Sequence, residues 1–370
     1  MNARTEALLR FAAAATGVAA VPLLVCAVLT GLARVGVMVP VHAVTRAAWH
    51  GVLMIPVFFG TVISLERAVT LQRVAPYFAP MGTVVAAVAL LAGTPASVVQ
   101  ALLVVASGVL VVVSIEQAWR QRSLFLIVLA VAAICWQIGN GAWLIVGEVS
   151  AAVPWWLSFL ILNIAGERLE LTRLRPMPRS ASWQFGLIVA TILAGATWAL
   201  WSPDGGLRVF ATGLLALVAW LARYDIARQT VRQRGLVGFI AVCLLCGYGW
   251  LFIGSLLVLG GALIPGHPWR DAALHAITLG FVFSMMLGHA PLILPAMVRV
   301  RVSYHPGFYA PLAALHVAVA IRLAGGLVGA LWLRQAGGLV SAAALALFAL
   351  FALTLLIGAY RTGRERARTI

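Results

Sequence analysis

The sequence predicts an all-α, polytopic integral membrane protein with about twelve transmembrane helices. Of its 370 residues, 63% are hydrophobic and only 10% are charged, a composition too apolar for a protein surface that faces water. The apolar residues fall into runs of about 20, the length that a helix needs to cross the hydrocarbon core of a bilayer. Backbone polar groups find no partner in lipid, so a spanning segment bonds within itself as a helix. The alternating pattern of a membrane β-barrel is not visible in this sequence.

Twelve apolar runs give the predicted spans. They cover approximately residues 10–31, 43–65, 76–94, 97–118, 123–146, 153–170, 183–202, 206–223, 236–261, 271–296, 308–333 and 337–360. The loops between them are short, which predicts a single transmembrane domain over residues 1–370 and no soluble domain. The first run is longer than the apolar part of a typical cleaved signal peptide, so we expect it to remain as the first span.

The distribution of arginine predicts the orientation of the chain. Arginine accounts for all 26 basic residues, and the net charge is +16. If the N-terminus is cytoplasmic, the inner segments hold twenty arginines and the outer segments five, while Arg322 lies within a span. This asymmetry follows the positive-inside rule. We therefore expect both termini in the cytoplasm, a location in a bacterial inner membrane, the lipid bilayer as the main partner, and no nucleic-acid partner.

Every carboxylate lies at the end of a predicted span or in a loop, whereas histidines lie within the spans. His50 lies in the second span and His275 in the tenth, about eight and about five residues below the outer ends of these spans. Eight helical residues correspond to roughly 12 Å, so the two imidazoles have comparable depths in the outer leaflet. Two histidines at one level on different helices are suited to be the axial ligands of a membrane-buried haem. The alternative is that each is a structural, hydrogen-bonded core histidine.

Charged residues close to these histidines support a haem site. Arg46 precedes His50 by one helical turn and Arg270 lies just above His275, where each would meet an anionic haem propionate. Asp271 lies one turn before His275 and is placed to accept the second ring proton of that histidine. A motif for covalent haem attachment is absent from the sequence, which favours haem b.

A second pair of histidines lies at the predicted inner level. His289 lies near the inner end of the tenth span and His316 near the inner start of the eleventh, and short connections usually make consecutive helices neighbours. A second haem, a copper or other metal site, a proton relay and a buried hydrogen-bonded pair are all compatible with this placement. Arg322 requires an anionic or carbonyl partner within the membrane, which the sequence does not identify.

Two segments resemble a known family of membrane haem proteins. The segment AWHGVLMIPVFFG (48–60) is similar to the start of the second span in the NnrS family, which is linked to nitric oxide metabolism. The segment DAALHAITLGFVFSMMLGHAP (271–291) resembles a later NnrS span with the pattern H-A-x-T-x-G. His275, Ala276, Thr278 and Gly280 match this pattern. More distantly, the chain resembles haem-copper oxidase subunit I, in which twelve spans carry low-spin haem ligands on the second and the tenth.

The chain also departs from both families. Gly51 and Val52 replace the His-Glu that follows the first NnrS histidine, and the sixth and seventh spans lack the copper-ligating histidines of the oxidases. Ala273 and Ile277 flank His275 where the oxidases have a second histidine two residues away. The resemblance therefore implies a haem scaffold for respiratory electron transfer or nitric-oxide metabolism, and it does not support dioxygen reduction.

Two other functions remain open. A secondary transporter of twelve spans would explain the span number and the glycine-rich helices, although no carboxylate lies in the middle of a span. A non-catalytic subunit that assists haem or metal assembly would explain the histidines. The sequence predicts neither an enzymatic reaction nor the identity of an electron donor or of respiratory partner subunits.

Overall fold

The computed structural model describes residues 3–171, 178–298 and 304–368. These residues form helices joined by short loops and contain no β-strand. Twelve of the helices are long and apolar enough to cross a membrane, as expected of a multi-pass membrane protein. The predicted all-helical fold and the predicted number of spans are therefore confirmed, whereas the cytoplasmic location of both termini stays a prediction.

The twelve spans are labelled α1 to α12 in chain order. They are α1 (Arg4–Arg34), α2 (Ala47–Leu71), α3 (Ala75–Ala92), α4 (Ala96–Gln121), α5 (Leu124–Val146), α6 (Val149–Leu171), α7 (Arg179–Trp198), α8 (Pro203–Tyr224), α9 (Leu236–Leu259), α10 (Arg270–Ile293), α11 (Pro306–Leu327) and α12 (Leu331–Gly358). Beyond these limits, helix continues back to Ala3 before α1, on to Val298 after α10 and on to Arg368 after α12. Two short helices, Val41–Val44 and Ala227–Thr230, lie in loops.

The chain divides into two compact units, Met1–Glu170 and Leu171–Ile370, which we call the N-terminal and the C-terminal unit. Spans α1 to α6 form the first unit and spans α7 to α12 form the second. The single transmembrane domain expected from the sequence stays a prediction. Four arginines that entered the orientation argument, Arg173, Arg175, Arg299 and Arg301, lie outside the described residues.

Two spans contain an unusual helical segment. Residues Leu53–Phe59 of α2 and Ala276–Phe283 of α10 form π-helix instead of α-helix. Pro56 lies within the first segment, and its missing N–H prevents it from donating in a regular helical ladder. π-Helical turns are rare, and they occur frequently at functional sites. Each segment follows a predicted haem ligand, beginning three residues after His50 in α2 and directly after His275 in α10.

Small residues allow close packing of helices in the C-terminal unit. A Cβ atom on Gly326 of α11 would lie 2.9 Å from the Cβ of Ala272 in α10. A Cβ on Gly254 of α9 would lie 2.6 Å from the side chain of Ile277 in α10. Glycine lets two helical backbones approach each other, which drives helix association where no hydrophobic effect operates between spans. The contact at Gly326 brings the beginning of α10 against the end of α11, where oppositely charged side chains meet.

Candidate functional site

His275 is held in a fixed orientation by Asp271, one helical turn earlier in α10. The Nδ1 atom of His275 lies 2.8 Å from the backbone oxygen of Asp271 and 3.3 Å from its carboxylate Oδ1. Both contacts place a hydrogen-bond acceptor at Nδ1. The neutral imidazole therefore carries its proton on Nδ1, and the lone pair is on Nε2.

Arg322 of α11 holds the Asp271 carboxylate from the other side. Its Nε donates to Oδ2 at 2.9 Å and its Nη2 donates to Oδ1 at 2.8 Å, which makes the ion pair bidentate. The Arg322 side chain is only 7% exposed, so its charge requires a partner that compensates for lost hydration. Asp271 is the anionic partner that the sequence could not identify. The three side chains form a chain of contacts, which we call the His–Asp–Arg triad.

The contacts of His275 resemble those that metal-binding histidines make. Histidines that bind metals usually donate the second ring N–H to a carboxylate or a backbone carbonyl, which fixes the tautomer and raises the basicity of the ligating nitrogen. Asp271 supplies both acceptors to His275. Thr278, which matches the H-A-x-T-x-G pattern, donates its hydroxyl to the backbone oxygen of Leu274 in the same helix, at 2.8 Å.

His50 belongs to the N-terminal unit and is held by α1. Its Nδ1 lies 2.7 Å from the backbone oxygen of Ala27, so the neutral ring again carries its lone pair on Nε2. Gly31, one turn after Ala27, lies directly against the ring, because a Cβ there would be 2.6 Å from Cε1 of His50. Within its own unit, therefore, His50 has the same tautomer as His275.

The depth of His50 differs from the prediction. Span α2 begins at Ala47 and not near residue 43, because Val41–Val44 forms a separate short helix. His50 therefore lies three residues after the start of its span, and His275 lies five residues after Arg270, the first residue of α10. The two histidines are thus at similar distances from the starts of their own spans. Their pairing around one iron stays a prediction.

The two arginines expected near haem propionates have other contacts. Arg46 donates through Nη2 to the backbone oxygen of Leu91 and through Nη1 to Thr45 at 3.2 Å. Arg270 donates through Nη1 to the backbone oxygen of Leu263. These bonds connect loops to helix ends. A guanidinium has five N–H donors, so these bonds do not exclude contact with haem propionates, and that role stays a prediction.

The inner pair of histidines is less suited to metal binding. His289 has its Nδ1 2.8 Å from the backbone oxygen of Met285, as in the other ligand candidates. His316 differs, because the indole N–H of Trp250 donates to its Nδ1 at 2.9 Å. Nδ1 is then the acceptor and the ring proton is on Nε2, a buried atom without a hydrogen-bond partner in the described part of the chain. In this arrangement His316 has no available lone pair for copper or haem iron.

Residues that the sequence analysis did not single out form a polar network in the N-terminal unit. Asn140 of α5 is fully buried, and its amide donates to the backbone oxygen of Leu103 and to the hydroxyl of Ser107, both at 3.1 Å. The indole of Trp156 donates to its carbonyl oxygen at 3.0 Å. Asn140 therefore joins α4, α5 and α6. Three- and four-residue spacing of polar residues within the apolar runs is the signal that could have revealed it.

Groups of three or more His, Cys, Asp or Glu side chains with metal-binding geometry are not found in the residues that the structure describes. The twelve apolar helices are those of a multi-pass helical membrane protein, and the His–Asp–Arg triad joins two of them, α10 and α11. The chain belongs to the DUF8744 family, described as a domain of unknown function, whose model matches residues 10–357. Neither a curated protein nor a solved structure matches this sequence.

Proposed function

We propose that this protein is a haem-binding protein of the bacterial inner membrane that acts in respiratory electron transfer or nitric-oxide metabolism. The observation that carries the proposal is the presentation of His275, whose Nδ1 is 2.8 Å from the backbone oxygen of Asp271 and 3.3 Å from its carboxylate. The resemblance of residues 48–60 and 271–291 to NnrS-type haem proteins supports it.

Haem b fits the residues that are present. His275 would be one axial ligand and His50 the second, because both have their Nδ1 at a backbone oxygen and the lone pair on Nε2. Arg46 and Arg270 would meet the propionates. When bound, haem supplies one-electron redox chemistry and, where an axial position opens, a site for a small diatomic ligand. Copper at His289 and His316 is not part of the proposal, because of the Trp250 contact.

Asp271 and Arg322 orient His275, the proposed haem ligand, and balance each other's charge. The backbone oxygen of Asp271 accepts a hydrogen bond from Nδ1–H of His275. The lone pair of the ring is therefore on Nε2, which points away from this helical turn. Arg322 keeps Asp271 ionised, since protonation would remove one partner of a bidentate pair. With haem bound, the Asp271 carboxylate would make the imidazole of His275 a stronger donor and would favour the oxidised state of the cofactor over the reduced state.

The arginine asymmetry supports the orientation. With both termini in the cytoplasm, α2 and α10 run from the outside inward, so His50 and His275 lie in the outer half of the membrane. A haem at that level would exchange electrons with a donor or a partner subunit on the outer side.

Absorbance spectroscopy of protein purified in detergent from haem-replete cells tests the proposal. We expect a Soret band with split α and β bands on reduction, and loss of this low-spin signal in His275→Ala and in His50→Ala. His42→Ala is the matched control, because His42 is exposed and lies outside the spans. A correctly folded protein without these bands would refute haem binding and favour a transporter. Bands that survive both ligand changes would refute the ligand assignment alone.

A further inference from the structure

Five exposed arginines gather at one end of the C-terminal unit. One lies in the first turn of α7, one in the last turn of α8, and three in the loop that leads into α9. They are Arg179, Arg223, Arg228, Arg232 and Arg234. Two hydrogen bonds place the α7 and α8 ends side by side, from the indole of Trp220 to the backbone oxygen of Ala181 at 2.9 Å and from Tyr224 to Gln184 at 3.4 Å.

Carboxylates offset only a small part of the charge at this end. Between residues 179 and 234 the acidic residues are Asp204 and Asp225. Asp204 pairs with Arg208 at the opposite end of α8, and Asp225 is buried, with an exposed fraction of 3%. The ion pairs among the described residues do not include any of the five arginines.

The loop that carries three of these arginines has a fixed shape. Asp225 accepts a hydrogen bond from the backbone N–H of Ala227 and another from the hydroxyl of Tyr248 in α9, both at 2.7 Å. Arg228 donates to the backbone oxygen of Ala222 at 3.1 Å and so closes the end of α8. The loop then turns at Gly235, where φ is +77°, a conformation that favours glycine. Side chains on this loop therefore project from a rigid support.

An exposed tryptophan places this end at the surface of the bilayer. Trp183 lies one turn after Arg179 in α7 and is 80% exposed. Tryptophan concentrates at the boundary between the hydrocarbon core and the headgroups, where its ring is in lipid and its N–H meets water. Arg179, one turn nearer the helix end, is then at the level of lipid phosphates, which guanidinium groups bind in a bidentate manner.

We propose that this arginine surface binds the headgroups of anionic phospholipids on the predicted cytoplasmic side of the membrane. An anionic headgroup is the expected ligand for two reasons. The five arginines have no ion-pair partner among the described residues, and they lie next to the end of a lipid-facing helix. The inference does not depend on haem, because none of these residues belongs to the triad.

Lipid titration followed by native mass spectrometry of the full protein in a neutral detergent tests the proposal. The variant R228Q/R232Q/R234Q removes three charges from the loop. The matched control R4Q/R10Q/R122Q removes three exposed arginines from the N-terminal unit. Since each arginine near an anionic surface contributes about 1 kcal/mol, the loop variant should bind phosphatidylglycerol about 100-fold more weakly. The control variant should bind like the unmodified protein, and phosphatidylcholine should bind weakly to all three.

Three results would overturn the proposal. Equal losses in the loop variant and the control would mean that net charge alone attracts the lipid. Equal binding of phosphatidylglycerol and phosphatidylcholine would exclude headgroup recognition. Displacement of the lipid by millimolar inorganic phosphate would identify a soluble anion as the ligand. Unchanged gel-filtration and thermal-unfolding profiles of the loop variant show that a loss of binding does not come from misfolding.

Discussion

Replacement of Gly31 by alanine should displace the ring of His50 from its position against α1. The added Cβ would lie 2.6 Å from Cε1, 2.8 Å from Nδ1 and 3.2 Å from Nε2 of the His50 ring. Carbon atoms in contact are normally about 3.5 Å or more apart, so the ring must move by about 1 Å. Such a movement stretches the 2.7 Å hydrogen bond between Nδ1 and the backbone oxygen of Ala27 beyond bonding distance.

The expected loss of stability follows from two effects. A buried polar group without its partner costs about 1–3 kcal/mol, and overpacking of a well-packed site costs about 1–3 kcal/mol. The change from glycine to alanine within a helix returns up to about 1 kcal/mol. We therefore expect Gly31→Ala to lower the free energy of unfolding by about 1–6 kcal/mol, measured by denaturant titration in detergent without haem.

Two companion variants make the test specific. Gly51→Ala adds the same methyl group next to His50, but nothing lies within 4 Å of its Cβ, so we expect no loss. His50→Ala removes the ring, and Gly31→Ala should then add no further destabilisation in the double variant. The reasoning would be refuted if Gly31→Ala were as benign as Gly51→Ala, or if its effect persisted without the His50 ring. In protein that contains haem, Gly31→Ala should also weaken the low-spin spectrum.

Two further predictions concern the C-terminal unit. Arg322→Gln leaves the Asp271 carboxylate without its bidentate partner, and we expect a loss of about 3–5 kcal/mol in the free energy of unfolding; wild-type stability in this variant would show that the ion pair is not formed. Gly280→Ala would place a Cβ 2.5 Å from the Trp250 side chain and should destabilise the protein by about 1–3 kcal/mol with a shift in tryptophan fluorescence. Gly249→Ala, whose Cβ meets nothing within 4 Å, is its control, and equal effects of the two changes would contradict the packing argument.

Hydropathy located the spans well but not their exact ends. The sequence predicts that the eleventh span ends near residue 333, whereas α11 ends at Leu327 and α12 begins at Leu331. The turn between them contains Gly329 with φ +72° and is surrounded by apolar residues, so a hydropathy average passes across it without a break. The π-helical segments were not predicted either, because a change of hydrogen-bond register leaves the apolar composition unchanged.

The candidate site was predictable only in part. The one-turn spacing of Asp271 and His275 predicts contact between them, since residues four apart share a helix face. The partner of Arg322 lies 51 residues away in sequence, and the contact depends on the close approach of α10 and α11 at Ala272 and Gly326. The tautomer of His316 likewise depends on Trp250, which is 66 residues away.

By itself the sequence determined that this chain is a twelve-span helical membrane protein, because span number follows from the length and polarity of each run, which are local properties. It also located histidines within the spans and the carboxylates at span ends or in loops. Only the tertiary structure decided which nitrogen carries the lone pair in His50 and His316, because the proton goes to the nitrogen that faces an acceptor and the Nδ1 atoms of these two rings meet other helices. The Nδ1 of His50 faces a backbone oxygen of α1, and the Nδ1 of His316 accepts from the indole of Trp250, whereas the acceptors for His275 and His289 lie one turn earlier in their own helix.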